Sequence, residues 1–430
     1  MVIIQEQRSV ETIRNQIEER GIRFLMLRTV DIWGRPKGLF IPSKDLKKAL
    51  EEGIGFDGSS LELIGIEESD LYLKPDLDSF FVSKYKGEVI GNLFCFIFKP
   101  SGEIFEKDSR GVLKKAANQL RIQGMTFNVG AEVEFFLLKG NDQHDKGGYF
   151  DLTEDGALDI KIKFAKALSE AGLRPEAIHH EVAPGQHEID FEFSNALKTA
   201  DSVLIYKEIL RNVASEFDLD VTYMPKPFEG INGSGMHLHI SLFNSKGDNL
   251  FWDPDQRNIS KIAGHFIAGL LEHARALSAF VAPTINSYKR LVPGYEAPVY
   301  ICWGHRNRSA LVRVPASKNG GCRIEFRAPD PSCNPYLTFS AVLAAGMDGI
   351  EKNLDPGEPV DWNVYETPDK FETLPSNLKE AIEEARNDDV LRRSIGEELY
   401  DSYLEVLEEE WAEFSRSVTD WELRKYLFKV

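Results

Sequence analysis

Hydrophobic and polar positions follow two kinds of spacing along the chain. Residues 9–20 carry apolar side chains at helical intervals between Ser9, a preferred N-cap residue, and Gly21, so they predict a helix. Apolar runs bounded by turn residues predict strands at 22–31, 37–42 and 89–98. A Lys-Pro-Ser-Gly turn at 99–102 ends this first region.

The rest of the chain mixes predicted strands and helices without a regular alternation. Helical spacing recurs at 260–277 and 334–350, and roughly the last fifty residues are acidic and strongly helical. Clusters of strands and helices in this order favour an α+β fold over a doubly wound sheet. We expect a small N-terminal domain at 1–103 and a larger domain at 104–430.

Four predicted strands place charged side chains on one face and apolar side chains on the other. The first, at 130–138, carries Glu132 and Glu134, which point the same way because alternate residues of a strand share a face. The other three charged faces are Glu188, Asp190 and Glu192, opposite Ile189, Phe191 and Phe193; His237, His239 and Ser241; and Arg323, Glu325 and Arg327.

A half-exposed sheet explains any one of these strands alone. Together they carry acids, imidazoles and arginines instead of the mixed polar residues of a solvated face. If they share a sheet, the carboxylates and imidazoles suit Mg²⁺ or Mn²⁺, whereas zinc would typically bring Cys or more His. Arginines beside them suit an anionic substrate. This combination indicates phosphoryl transfer, without the Gly-x-x-x-x-Gly-Lys-Ser/Thr loop of P-loop enzymes.

Composition narrows the class of protein. The 430 residues, 42% of them hydrophobic, suffice for a large core and two or three domains. A net charge of −18 argues against a general nucleic-acid or anionic-membrane binder. The four cysteines are scattered, which favours a reducing compartment, and no stretch approaches the roughly 18 apolar residues that span a bilayer. We therefore expect a soluble, cytoplasmic protein.

Seven segments in chain order resemble the motifs of glutamine synthetase. They are GFDGSS at 55–60, GAEVEFF at 130–136, HHEVAPGQHEID at 179–190, NGSGMHLHIS at 232–241, NSYKRLVPGYEAP at 286–298, NRSALVRVP at 307–315 and RIEFRAPDPSCNPYL at 323–337. The shorter form of the prokaryotic type I enzyme is the nearest match.

The resemblance implies a β-grasp-like N-terminal domain and a catalytic domain whose curved antiparallel sheet forms an open barrel surrounded by helices. In the implied reaction, ATP phosphorylates the γ-carboxylate of glutamate, and ammonia then displaces phosphate to give glutamine. The implied assembly is a dodecamer of two hexameric rings with active sites between subunits. The expected partners are glutamate, ammonium, ATP and small regulatory proteins, with no nucleic acid and no membrane.

The same motifs assign the charged side chains to two divalent ions, Mg²⁺ or Mn²⁺. Residues resembling ligands of the first ion, which helps hold glutamate, are Glu134, Glu181 and Glu188. Residues resembling ligands of the second ion, among the ATP phosphates, are Glu132, His237 and Glu325. Asp190 and Glu192 are not ligands in the family, so we interpret them as a solvated or ion-paired face.

Arginines and a glycine-rich loop resemble the substrate contacts. For glutamate the matching residues are Asn232, Gly233, Arg290, Glu296 and Arg327. For ATP they are Glu176, His239, Ser241, Arg308, Arg313 and Arg323. Arg308 would also balance phosphate charge, and a glycine at 233 lets the backbone approach the ligand closely. A surface ion pair is the alternative for each arginine, and an ordinary turn is the alternative for the loop.

Two further acids resemble catalytic residues. Asp57 matches the residue that takes a proton from ammonium in the active site of an adjacent subunit; an Asp in a Gly-rich turn is otherwise structural. Glu296 matches the residue of a flap that closes over the acyl phosphate and excludes water, and its alternative is a solvated loop residue.

The chain also departs from the family pattern. Gly65 stands where the short form often has an arginine that takes part in feedback control, which puts feedback by glutamine through that residue in doubt. Tyr365 lies near the tyrosine that is nucleotidylated in the longer form, but its surroundings differ and we expect it to be unmodified. The rival hypotheses are a γ-glutamyl-amine ligase of the same superfamily and a non-catalytic regulatory homologue that binds glutamine or ATP.

Overall fold

The computed structural model describes residues 8–61, 63–85, 87–152, 156–256, 258–317 and 321–429. The first predicted helix is present as α1, Val10–Glu19, where the Ser9 hydroxyl accepts a hydrogen bond from the Thr12 amide at 3.1 Å. Gly21 follows it with φ +64°, a conformation in which glycine carries no steric cost.

A small sheet follows α1 and contains all three strands that were predicted before residue 100. Its strands are β1 Phe24–Val30, β2 Pro36–Pro42, β3 Ile54–Asp57, β4 Asp70–Pro75, β5 Phe81–Tyr85 and β6 Glu88–Phe98. Their order is β2-β1-β6-β4-β3, with β5 also paired to β6. β1 runs parallel to β6, and the short helix α2, Leu46–Glu51, precedes β3.

The larger region contains the remaining strands. They are β7 Met125–Lys139, β8 Asp142–Gln143, β9 Pro175–His180, β10 Gln186–Phe191, β11 Ser194–Asn195, β12 Asp220–Thr222, β13 Met236–Asn244, β14 Trp252–Asp253, β15 Asn258–Ile259, β16 Trp303–His305, β17 Val312–Val314 and β18 Ile324–Phe326. β14 and β15 pair with each other, and the other strands form one sheet with the order β16-β17-β18-β13-β7-β10-β9, in which β8, β11 and β12 also pair with β7.

Helices surround this large sheet. They are α3 Ser109–Ile122, α4 Leu158–Glu170, α5 Ala196–Ser215, α6 Lys261–Glu272, α7 Ala274–Val281, α8 Ser287–Arg290, α9 Pro335–Lys352, α10 Leu378–Arg386, α11 Asp389–Ile395, α12 Glu397–Arg416 and α13 Asp420–Tyr426. Within the described ranges, no helix has the length and apolar composition that crossing a bilayer requires.

The two regions are joined by ion pairs of two buried arginines, Arg28 and Arg110. Arg28 of β1 donates two hydrogen bonds to Glu208, at 2.5 and 2.8 Å. Arg110 of α3 contacts Asp201 of α5 and Asp76, which follows β4, at 2.9 Å each. Charge-assisted, bidentate bonds of this kind orient elements as well as stabilising them.

The α+β prediction is confirmed, and the four charged strands are consecutive neighbours in one sheet, in the order β18-β13-β7-β10. The helical pattern at 260–277 is confirmed as two successive helices, α6 and α7, which meet at His273, whose ring contacts Asp348 and Asp388 at 3.1 and 2.6 Å. One local prediction was wrong. Phe193 is 54% exposed instead of facing the core, because β10 shifts register at Asp190 and Phe191 and then ends.

Candidate active site

Strand register brings the predicted metal ligands next to one another. β7 and β13 pair Glu132 with His237, and β7 and β10 pair Glu134 with Glu188. β18 adds Glu325, which lies opposite His239 of β13. Side chains at directly opposed positions of an antiparallel pair have Cβ atoms about 5 Å apart, so these groups interact directly.

The first cluster, which we call the paired cluster, consists of Glu132, His237 and Glu325. One ligand atom from each lies within 4.8 Å of the others. His237 Nδ1 is 3.3 Å from a Glu132 oxygen and 3.8 Å from a Glu325 oxygen. His239 Nε2 is 2.6 Å from the second Glu132 oxygen, so both oxygens of that carboxylate face an imidazole.

Arginines supply positive charge to the paired cluster. Arg327 donates to one oxygen of Glu325 at 2.7 Å, and Arg313 donates to the other. Burial alone would raise the pKa of Glu325, but Arg327, the nearby histidines and Arg313 outweigh it and hold that pKa at about 2. Burial likewise acts against the charge on Glu132, yet His239 and His237 bring its pKa well below the usual value. Both carboxylates are therefore ionised at neutral pH.

The second cluster, which we call the crowded cluster, consists of Glu134, Glu181 and Glu188. Glu134 accepts hydrogen bonds from the Gly235 amide at 2.7 Å and from Gln186 at 3.0 Å. The other two carboxylates lie 3.4 and 3.2 Å from the two nitrogens of one ring, that of His179.

Burial and mutual repulsion dominate the electrostatics of the crowded cluster. Burial raises the pKa of Glu134 to about 7. Burial and the charge of Glu134 raise the pKa of Glu181 to about 8. The pKa of Glu188 is also raised, first by burial and then by the charges of Glu132 and Glu134. A carboxylate in such surroundings keeps a proton unless a cation replaces it.

The compact set of possible ligands beside the crowded cluster includes a residue that we had interpreted as solvated. Among the described residues, the sets whose ligand atoms lie within 4.8 Å include His179, Glu188 and Asp190, but not Glu134, Glu181 and Glu188 together. One oxygen of Asp190 is buried and has no hydrogen-bond partner within the described part of the chain. The solvated or ion-paired interpretation is therefore wrong for Asp190. It is confirmed for Glu192, which is exposed and pairs with Arg174 at 3.3 Å.

The glycine-rich loop lies against the crowded cluster. A Cβ on Gly233 would lie 2.2 Å from the Pro225 carbonyl oxygen, so a larger residue could not occupy this position. A Cβ on Gly235 would lie 2.6 Å from Nη2 of Arg290. Asn232 donates to the Glu296 carboxylate at 3.0 Å, which places the predicted flap beside the same loop.

The predicted glutamate-binding arginines are buried and fixed. Arg290 donates to the carbonyls of Ala328 and Arg327, at 2.8 and 3.1 Å. Arg327 is 3% exposed, and besides Glu325 it donates to the Glu296 carbonyl at 3.2 Å. Its Nε has no partner among the residues that the structure describes, so this buried donor remains available.

The residues predicted to bind ATP lie on the same sheet or in the loops next to it. Arg323 donates from Nε to His239 Nδ1 at 2.9 Å, which leaves the proton of that ring on Nε2, facing Glu132. Ser241 follows along the same face of β13 and is buried, whereas Glu176 of β9 is exposed. Arg308 is exposed in the loop between β16 and β17.

Asp57 lies apart from this group, at the end of β3 in the small sheet, and it is exposed. Ser59 donates to it from its hydroxyl at 2.7 Å and from its amide at 3.0 Å, and these bonds lower its pKa. The carboxylate is therefore ionised and exposed, as a base that acts on a ligand from another subunit would have to be.

Two residues that contact the crowded cluster, Gln186 and His179, were not predicted, and neither was an aromatic pair beside His179. Gln186 donates to Glu134, and the His179 ring lies next to Glu181 and Glu188. The rings of Tyr149 and Phe150 stack at 4.2 Å, and that of Phe150 lies edge-on to His179 at 5.1 Å. The only sequence signal for Gln186 and His179 was their place in the HHEVAPGQHEID segment; none marked the aromatic pair.

Comparisons with known proteins identify the family. The model of the "Glutamine synthetase, catalytic domain" family matches residues 106–426, and that of the "Glutamine synthetase, beta-Grasp domain" family matches residues 21–100. The chain is 45% identical to the glutamine synthetase of Thermotoga maritima, over 98% of this chain and 100% of that one. It is also 45% identical to the glutamine synthetase of Methanocaldococcus jannaschii, over 97% of this chain and 98% of that one.

Solved structures agree on the fold. One described as "GmaS/ADP complex-Conformation 1" superposes with a TM-score of 0.90 and 32% identity, over 96% of this chain and 98% of that chain. The expected β-grasp N-terminal domain and curved catalytic sheet are thus confirmed. Since both family models and these full-length relatives agree, the chain belongs to the glutamine synthetase family and carries out ATP-dependent glutamine synthesis.

Proposed function

We propose that the crowded and paired clusters hold two divalent cations, Mg²⁺ or Mn²⁺, during glutamine synthesis. The donor set supports this, because it consists of carboxylates and one imidazole. The buried, mutually repelling acids of the crowded cluster also fit a cation, as does the buried oxygen of Asp190 that has no partner among the described residues. Cations bound there would neutralise charge on the γ-phosphate and on the glutamate carboxylate while the phosphoryl group moves.

The glutamate site is proposed between the glycine-rich loop and the two buried arginines. Arg290 and Arg327 would hold carboxylates of glutamate, and Asn232 and the Gly233 backbone would hold its amino-acid end. Arg327 is buried, and its Nε has no partner in the part of the chain that the structure describes, which supports this assignment. A guanidinium already fixed by neighbouring groups binds a carboxylate with little loss of side-chain freedom.

The nucleotide would lie along the other half of the sheet. The proposed contacts are Glu176, His239, Ser241, Arg308, Arg313 and Arg323. Arg313 and Arg323 already bond to residues of this half of the sheet, and Nε of Arg313 is buried without a partner in the described ranges. Arg308 is exposed, so it is free to balance charge on the transferring phosphate.

Two acids would complete the reaction. Asp57 of one subunit would take a proton from ammonium in the site of its neighbour, and its exposure and lowered pKa suit that role. Glu296 would close over the γ-glutamyl phosphate and exclude water. The contact between Glu296 and Asn232 supports a flap position directly above the glutamate site.

We also propose the dodecamer, the cytoplasmic location and a domain boundary between residues 103 and 104. The C-terminal helix α13 and the residues after it expose Trp421, Leu427 and Phe428, the last at 93%, which suits contact with another copy of the chain. The four cysteines are free and buried, as in proteins of reducing compartments. β6 ends at Phe98 and α3 begins at Ser109, on either side of the proposed boundary.

An amine-specificity assay tests these assignments. ADP release should require glutamate, ammonium and Mg²⁺ or Mn²⁺ together, and glutamine should form in equal amount. ADP release with organic amines but not with ammonium would instead identify a γ-glutamyl-amine ligase. Binding of glutamine or ATP without turnover would identify a regulatory homologue.

A further inference from the structure

The flap, residues 293–298, is held in a strained conformation. Glu296 has φ +59°, in the left-handed region that residues other than glycine rarely adopt. Such a conformation persists only where surrounding contacts determine it, and it relaxes when they are lost. The contacts of the flap therefore decide whether Glu296 stays over the site.

Two of these contacts come from residues with proposed roles in binding glutamate. Asn232 donates to the Glu296 carboxylate, and Arg327 donates to the Glu296 carbonyl, at 3.0 and 3.2 Å. Both donors would also bond to glutamate when it is present. They cannot serve as a constant anchor of the flap, because their partners change during the reaction.

A third contact comes from outside the glutamate site. The Tyr365 hydroxyl donates to the carbonyl of Ala297, the residue after Glu296, at 2.7 Å. The Tyr365 ring packs edge-on against Tyr300 with centroids 6.1 Å apart, at the border of a small apolar cluster that includes Val360 and Val364. No proposed substrate contact involves Tyr365, so this bond can persist throughout the reaction.

The segment that carries Tyr365, residues 360–365, also contacts the loop of Arg308. The Val364 amide donates to the Ser309 hydroxyl at 3.1 Å, and that hydroxyl donates to Asn307 at 2.7 Å. Asn307 in turn donates to the carbonyls of Val360 and Trp362, at 3.0 and 2.8 Å. We call residues 360–365 the strap, because this segment bonds to the flap at one end and to the Arg308 loop along its length.

We propose that Tyr365 is a positioning residue that holds the flap closed over the γ-glutamyl phosphate. Its hydroxyl fixes Ala297 and so keeps Glu296 in its strained conformation, while the strap keeps the flap in register with Arg308. This role rests on the proposed functions of Glu296 and Arg308.

The chemical consequence is a competition between two nucleophiles. When ammonia attacks the γ-carbon, a carbon–nitrogen bond forms, the bond from that carbon to the phosphate oxygen breaks, and glutamine and phosphate leave as a base takes the surplus proton. When water attacks instead, the same bond breaks and glutamate and phosphate are released, so ATP has been hydrolysed without product. A flap that opens more often favours water.

Tyr365→Phe tests this directly, because it removes the hydroxyl and keeps the ring. With glutamate but no ammonium, ADP release should rise about fivefold, the factor that corresponds to the loss of one ordinary hydrogen bond. At low ammonium the glutamine formed per ADP should fall below one, and saturating ammonium should restore it. A general loss of structure would lower the rate without changing this ratio.

Tyr300→Phe is the matched control. It removes the hydroxyl of the ring that packs on Tyr365, and none of the hydrogen bonds between described residues involves that hydroxyl. It should leave the ratio of glutamine to ADP unchanged. If Tyr365→Phe does not fold, Ser309→Ala loosens the other contact of the strap and should produce the same loss of coupling.

The outcomes separate the inference from the function on which it rests. A wild-type enzyme that forms no glutamine would refute the assigned roles of the site as a whole. A wild-type enzyme that couples ADP release to glutamine, beside a Tyr365→Phe variant that couples equally well at low ammonium, would overturn the role of Tyr365 alone.

Discussion

The paired and crowded clusters both contain glutamates, yet the pKa values of these glutamates shift in opposite directions. In the paired cluster, the pKa of Glu325 is about 2 and that of Glu132 is well below its usual value. In the crowded cluster, the pKa of Glu134 is about 7 and that of Glu181 is about 8. Glu132 and Glu134 belong to one strand and one face, so the strand itself does not cause the difference.

The neighbouring strands cause the difference in pKa between the two clusters. β13 brings the imidazoles of His237 and His239 to Glu132, while Arg313 of β17 and Arg327, which follows β18, pair with Glu325, so these two arginines supply the positive charge there. β10 and the turn after β9 bring further acids to the crowded cluster, where positive charge has to come from protons or from a bound ion. The paired cluster is thus neutralised without metal, whereas the crowded cluster needs a bound metal ion to neutralise its ionised carboxylates.

Removal of divalent metal should have the largest effect. Dialysis against EDTA should abolish glutamine formation, because the crowded cluster then holds protons in place of a cation and the phosphate charge is not neutralised. Formation of ADP and glutamine measures the loss, and addition of Mg²⁺ or Mn²⁺ should reverse it. A thoroughly chelated enzyme that keeps full turnover would contradict the proposed metal sites.

The second largest effect should follow from a change in the paired cluster. Glu325→Gln removes the carboxylate that pairs with Arg313 and Arg327, two arginines that are largely buried. Breaking a buried ion pair in this way lowers the free energy of unfolding by about 3 kcal/mol or more. The urea midpoint of the metal-free protein should fall accordingly, and nucleotide-dependent metal binding should weaken.

Glu192→Gln is the control for that experiment. The ion pair of Glu192 with Arg174 is exposed, with 44% and 74% of the two side chains accessible, so its loss should change stability by less than about 0.5 kcal/mol. Equal effects of the two substitutions would show that the paired cluster does not stabilise the metal-free protein.

The third change separates activity from stability. Glu188→Gln in the crowded cluster removes a proposed ligand, so glutamine formation should fall by more than about 100-fold. The urea midpoint of the metal-free protein should stay the same or rise, because the substitution removes a buried acid that its neighbours repel. A loss of stability as large as that of Glu325→Gln would erase the distinction between the clusters.

Local sequence patterns predicted much of the fold and the shared face of the site. Alternation identified β7, β10 and β13, since the side chains that face the site follow a period of two along each strand. It could not identify which residue of one strand opposes which residue of the next, because register depends on pairing between segments far apart in the chain. The contrast between the clusters is a consequence of register and was therefore not predicted.

Local patterns failed where distant residues overrode them. β10 shifts register at Asp190 and Phe191 and then ends, so that Phe193 is exposed, and a strict alternation does not predict this. One buried oxygen of Asp190 has no partner among the described residues, which alternation does not predict either. The helical spacing at 260–277 did not indicate that α6 and α7 meet at His273, whose ring bonds to two acids that come 75 and 115 residues later. No pattern near His273 indicates either of them.

The smallest expected effect is a pH dependence of the metal-free protein. Unfolded glutamates release their protons near pH 4.3, whereas Glu134 and Glu181 keep theirs until about pH 7 and about pH 8. Between these values the folded protein binds more protons than the unfolded chain, so stability falls as pH rises from 6 to 9. For Glu325 the sign is opposite, because a lowered pKa adds stability that is lost only as pH falls toward 2.

Thermal melting in EDTA from pH 6 to pH 9 measures this trend. Glu181→Gln should flatten the decline, because glutamine has no proton to lose, whereas Glu325→Gln should lower the curve without changing its slope in this range. Excess Mg²⁺ should also flatten the decline in the wild type, since a bound cation takes the place of the protons. If the melting temperature declines with equal slope in the wild type and in Glu181→Gln, other groups cause the decline. The crowded cluster would then not be the part of the site that needs an external positive charge.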